Sequence, residues 1–189
     1  MKRILSLLLI TAVSGSLWAN PETEAHSPSQ QVADLIREAA GAQAAFLPAG
    51  LVKNNPEGNS LVSILRFPDE EIAIVKLKGS QIRAALERSV ALFPSPTDCF
   101  LQLSNMEASF SRSANPDQRV RSATIAGQAL ADASEYEVAM PVTLARGGLG
   151  YFRVWEKSQT VRVLEGVTLG SVVGQKALQE TAPRWRAVQ

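Results

Sequence analysis

Two side chains in this 189-residue chain carry the chemistry on which most hydrolases depend, and there is one of each: His26 and Cys99. A two-metal phosphatase, a zinc peptidase or an imidazole acid–base pair needs several such groups close together. One imidazole and one thiol cannot supply them. Ser and Thr residues are scattered with no base beside any of them, so a nucleophile has no activator. Asp69-Glu70-Glu71 sets three carboxylates in a row. Without imidazole neighbours they read as a solvated loop rather than a metal site. Cys99 has no internal disulfide partner and no activating base nearby, and reads as a structural thiol. Gly147-Gly148-Leu149-Gly150 is a loop whose glycines admit backbone conformations closed to other residues. It lacks the Lys-Ser/Thr of a phosphate-gripping loop and opens no G-x-G-x-x-G helix, so a plain turn and a ligand loop fit it equally. No catalytic residue, metal ligand or cofactor motif emerges.

Charge narrows the partners. The formal net charge is +1, from 19 Lys and Arg against 18 Asp and Glu. Nucleic-acid binding relies on clustered positive charge, and this balance gives no reason to expect it. Arg119 and Arg121 come closest to a basic patch, and their spacing of two reads as one solvated strand face. Residues 1–19 read as a secretory signal: Lys2-Arg3, an apolar stretch over 4–13, then small residues ending at Ala19. The apolar stretch falls short of the roughly 20 residues that a membrane-spanning helix needs. No later segment is long and apolar enough to span. The expected location is periplasmic or secreted.

Periodicity sets out the elements that must position any site. Residues 20–26 read as a short polar mobile leader, with His26 solvated in it. A helix follows, with Ser27 as cap, Pro28 in its first turn and Gln30 completing a capping box. Its apolar stripe is Val32, Leu35, Ile36, Ala39 and Ala40, and Gly41 is its stop. Residues 44–47 and 72–77 read as buried strands, with a loop over 48–58 and a short helix to Leu65 between them. A second helix starts at Gly79-Ser80. Residues 100–110 alternate with a slip at Ser104-Asn105, and 119–125 form a strand before a turn at Gly127-Gln128. Tyr136, Val138, Met140 and Val142 alternate cleanly. A short strand near 161–163 leads to a last helix capped by Thr168, with the stripe Leu169, Val172, Val173 and Ala177. The mixture without strict alternation predicts an α+β class, a single domain of mixed packed sheets with flanking helices over residues 27–182, and a solvated tail at 183–189.

Several blocks over about residues 44–157, in order, resemble the C-terminal domain of the 5′-nucleotidase family. Leu77-Lys78-Gly79-Ser80-Gln81-Ile82 with Ala85-Leu86-Glu87-Arg88-Ser89-Val90 resembles its strand-Gly-helix block. Phe100 to Ser104, Arg119 to Gly127 and Tyr136-Glu137-Val138-Ala139 resemble the strands that follow, and Gly147-Gly148-Leu149-Gly150-Tyr151 closes the series. In that family this domain recognises substrate and a metal-binding phosphatase domain does the chemistry. The resemblance therefore implies a non-catalytic recognition module that binds a nucleotide-like small molecule or complements a separate metallophosphatase. An alternative is a docking module for that phosphatase or an envelope protein, with Pro183-Arg184-Trp185-Arg186 as a contact. An autonomous hydrolase is the third.

The resemblance carries site residues over only in part. Phe67 falls at the family's base-stacking Phe, with Arg66, Pro68 and Asp69 in place of its companions. Lys53 stands where the family has an Arg, without that residue's bidentate fork. The second ring of the family's aromatic clamp is missing at Pro141-Val142-Thr143-Leu144, and Leu149 replaces a ribose-binding Asp. The implied ligand residues are Lys53, Phe67, Asp69, Gly147, Gly148, Leu149 and Tyr151, with no metal and no cofactor. Losing one ring and one carboxylate weakens nucleotide affinity by about two to four orders of magnitude.

Overall fold

The computed structural model describes residues 19–54 and 56–189. Apart from Ala19, the expected signal sequence lies outside the described residues. Among the described residues, nine strands form two mixed sheets. β1 (Ala44–Pro48), β2 (Glu71–Lys78), β3 (Leu101–Ser104), β7 (Glu135–Pro141) and β8 (Thr160–Thr168) make the first, in the order β3-β1-β7-β2-β8. β4 (Met106–Ser111), β5 (Val120–Ile125), β6 (Gln128–Ala129) and β9 (Trp185–Val188) make the second, in the order β6-β5-β4-β9. Of these neighbours, β1–β7 and β4–β9 are parallel and the rest antiparallel. The helices are α1 (Ser27–Ala40), α2 (Gly79–Val90) and the short α3 (Val142–Ala145) and α4 (Leu169–Val173). This is the expected α+β architecture of packed sheets.

Both faces of the first sheet are covered, which is why its strands are nearly continuous apolar runs. Phe46, Ala73, Val75, Val138 and Met140 pack with α2 and the second sheet, while Ala45, Leu47, Ile72, Ile74 and Ala139 pack with α1 and α4. The break at Ser104-Asn105 is a change of sheet. Asn105 adopts a positive φ of 52° between β3 and β4, and the alternating run splits into two strands. Ala126 and Gly127, both with positive φ, close the β5–β6 hairpin as a two-residue turn requires.

Several expectations are corrected. α1 has His26, not Ser27, at its N-cap and no side-chain capping bond. Gln30 is drawn away from the cap to tie down the chain near the C-terminus: its Nε2 donates to Thr181 Oγ1 and to the Ala182 carbonyl, and its Oε1 accepts from the Arg184 amide. His26 is buried, shares a 2.7 Å hydrogen bond with Ser29 Oγ and donates its amide to Gln102 Oε1. Gln102 also donates to the carbonyls of Pro21 and Glu24, so the leader is bonded to β3. The C-terminal segment is not a solvated tail. Trp185 is buried against Phe100 and Phe110, and its indole N–H donates to the Leu101 carbonyl at 2.7 Å. β8 runs for nine residues rather than three, and α4 ends at Val173. Thr168 caps α4 as expected, accepting from the Ser171 amide.

Candidate functional site

The residues singled out in the sequence lie on three segments that the fold draws together beside β3. Lys53 follows a short ladder in which Val52 faces Leu65. The Lys53 amide donates to Ile64 and the Arg66 amide to Leu51. That ladder leads into Phe67, which is 57% exposed. The Gly50 amide donates to the Asp98 carbonyl, and Arg66 lies 3.8 Å from the Asp98 carboxylate and 3.9 Å from that of Glu22. A Cβ on Gly50 would stand 3.0 Å from the Asp98 side chain, so any larger residue would push the two segments apart by a few tenths of an ångström.

Asp98 leads into Cys99, and Cys99 reaches the glycine loop. Its Sγ donates to the Leu149 carbonyl at 3.3 Å, and the Arg88 guanidinium donates to the same oxygen through Nε and Nη2. Leu149 holds a φ of 55°, between Gly147 at 86° and Gly150 at 78°. A β-carbon on Gly150 would run into the Arg88 guanidinium, so the residue must be glycine for Arg88 to lock the loop.

Tyr151 lies under this loop, fully buried. It stacks on Trp155 at 5.0 Å and donates its hydroxyl to the Cys99 carbonyl at 2.6 Å. It supports the loop from below and presents no face to solvent. Burial pushes its hydroxyl well above the ordinary tyrosine value. A charge on Cys99 acts in the same direction, and Arg88 opposes them. Gly148 packs on Thr143 of α3, and the Thr143 amide donates to Glu70 Oε1 at 2.6 Å. Glu70 therefore joins the Phe67 turn to the glycine loop through α3. Glu71 likewise accepts from the Gly166 amide, so two of the three consecutive carboxylates are structural. Asp69 alone remains exposed in the turn.

Arg88, Asp98 and Cys99 were not legible as site residues. Arg88 falls within the strand-Gly-helix block but takes no site role from it, Asp98 and Cys99 lie outside the blocks that carry the resemblance, and only the meeting of α2, the β3 approach and the glycine loop joins the three. Phe152, 64% exposed and next to Tyr151, is a second exposed ring, on the glycine-loop segment. Arg184, by contrast, is spent within the fold on Asp34 Oδ2 at 2.6 Å and on the carbonyls of Leu103 and Gln30. With Trp185 buried beside it, Arg186 alone of the Arg and Trp residues in 183–186 is exposed, 3.6 Å from the Glu107 carboxylate. Among the described residues no three His, Cys, Asp or Glu side chains stand together to hold a metal ion, and no helix is long and apolar enough to cross a membrane.

Solved structures show the same fold. A 5′-nucleotidase precursor from Thermus thermophilus superposes with a TM-score of 0.77 at 22% identity, over 93% of this chain and 38% of that one. The NAD nucleotidase of Haemophilus influenzae gives 0.66 at 16% identity, over 94% of this chain and 37% of its own. The sulfate thiohydrolase SoxB of T. thermophilus, in complex with glycerol, gives 0.59 at 19% identity, over 88% and 34%. The chain thus spans little more than a third of each of these proteins. No curated protein sequence is similar enough to this chain to match it. The family model described as the 5′-nucleotidase C-terminal domain matches residues 14–156. On a match that runs through most of its length, the chain belongs to the family of 5′-nucleotidase C-terminal domains.

Proposed function

We propose that this chain is an exported, non-catalytic recognition domain that holds a nucleotide-like small molecule at its Phe67 surface and acts beside a separately encoded metallophosphatase. The observation that carries this reading is the convergence of residues 50–53, 66–67, 98–99 and 147–151, with Phe67 left 57% exposed at their edge. An exposed ring on a braced turn offers a stacking face to a planar base. Lys53 supplies a cation and Asp98 a hydrogen-bond acceptor at the rim. The Leu149 carbonyl is occupied by Arg88 and Cys99, so the glycine loop contributes shape and an apolar side chain rather than free polar groups.

His26 argues against catalysis by this chain, because its imidazole is buried against Ser29 in the first turn of α1. Isothermal titration with adenosine and AMP tests the reading. Binding is expected in the micromolar to millimolar range, with Phe67→Ala weaker by about 5- to 150-fold, the worth of one base–aromatic stack. No heat from the wild type at millimolar ligand would overturn it.

A further inference from the structure

Arg119 and Arg121 share a spacing that reads as one solvated strand face, and the structure separates them. Arg121 is exposed, whereas Arg119 is only 9% exposed. The Arg119 and Val120 amides donate to the two carboxylate oxygens of Glu87, at 2.9 and 2.8 Å. Glu87 is thereby committed to the backbone, and among the described residues Arg119 forms no ion pair. Its Nε and Nη1 are buried with no acceptor. A guanidinium cannot shed its proton to escape this cost, and an unpaired buried charge is among the most unfavourable arrangements in a protein.

The neighbouring groups point to what would relieve it. The Ser111 amide donates to the Arg119 carbonyl at 2.8 Å, one step beyond the Phe110–Val120 pair that ends the β4–β5 register, so the end of β4 and the start of β5 hold the two residues together. Ser111 is buried as well, and its Oγ lies 3.3 Å from Ser113 Oγ. Hydroxyls rotate to donate or accept, and these two stand at the start of the loop over 112–118 that Arg119 closes, though neither bonds the guanidinium.

We infer that this end of the second sheet is an oxyanion site, with Arg119 as the charged fork and Ser111 and Ser113 as hydroxyl donors for a tetrahedral group such as phosphate. It is independent of the Phe67 surface. Arg88 of α2 faces the glycine loop, whereas the preceding Glu87 faces Arg119.

Thermal unfolding of the whole chain in sodium phosphate, against sodium chloride of equal ionic strength, tests the inference. At phosphate ten times its Kd, the wild-type Tm is expected to rise by about 3–6 °C. R119M is expected to show no rise, and in chloride to melt no lower than the wild type. No rise in the wild type, or an equal rise in both proteins, would overturn the site. So would an R119M that melts lower in chloride, since the guanidinium would then already be satisfied. If R119M does not fold, wild-type amide shifts on phosphate titration decide: saturation centred on Ser111, Ser113 and Arg119 supports the site, and changes confined elsewhere overturn it.

Discussion

Tyr151 shows how a residue beside a candidate site can belong to the core. Its ring is closed in by Trp155, with the Arg88 guanidinium 5.3 Å from its centroid, and its hydroxyl is used by Cys99. Because burial raises its pKa well above 10.0, the folded state keeps a proton that the unfolded chain has lost once the pH passes that value. The unfolded state then binds fewer protons, so stability is fully present below pH 10 and falls as pH rises, by about 1.4 kcal/mol per unit. Urea midpoints measured from pH 9 to pH 11 should therefore drop more steeply for the wild type than for Tyr151→Phe. At neutral pH the variant should lose only about 0.5–1.5 kcal/mol, the worth of one hydrogen bond. Parallel slopes would mean that the hydroxyl is hydrated. The sequence marks Tyr151 as part of the loop motif. It cannot show which way the ring points, because that depends on Trp155 and Cys99, brought in from different segments. Phe67 is the opposite case: position and exposure agree, since the ladder from Leu51 to Arg66 leaves its ring outside.

At the scale of elements, the docking of α2 depends on Gly79. The Gly79 and Ser80 amides donate to the carbonyls of Ser134 and Asp132, bringing the helix start so close to the loop over 131–134 that a β-carbon at 79 would strike the Ala131 carbonyl. Backbone cannot swing aside as a side chain can, so Gly79→Ala should cost about 1–3 kcal/mol or more, read as a lower denaturant midpoint with unchanged slope. An unaffected midpoint would show that the loop yields freely. α1, α2, β2 and β7 were legible because their apolar periodicity is long and one pattern dominates each. β9 was not, since four residues reading Trp-Arg-Ala-Val carry little period and their parallel partner β4 lies some 75 residues earlier. β8 was underestimated for a related reason: it sits at a sheet edge with two register shifts, and much of it stays exposed. The capping box at Ser27 failed because tertiary bonds from Gln30 to residues 181–184 outcompeted a local one.

At the scale of the molecule, the first sheet is a shared wall between two apolar clusters. Successive residues of β2 alternate between them: Ile72 and Ile74 face α1 and α4, while Ala73, Val75 and Leu77 face α2 and the second sheet. Neither cluster can open without exposing the back of the strands that hold the other, so the two should melt as one unit. Trp155 and Trp185 both lie on the second-sheet side, whereas α1, the longest helix among the described residues, covers the other. Trp185→Ala tests the coupling. Truncating this buried ring should cost about 3–5 kcal/mol, and each kcal/mol lowers the Tm of a chain this size by about 2–4 °C. Fluorescence of Trp155 reports one side of the wall and the amide NMR signals of α1 report the other. Both should shift together by the same interval. A fluorescence transition that moves down while the α1 signals stay in place would mean that the sheet separates two independent cores, and that β9 secures only its own half.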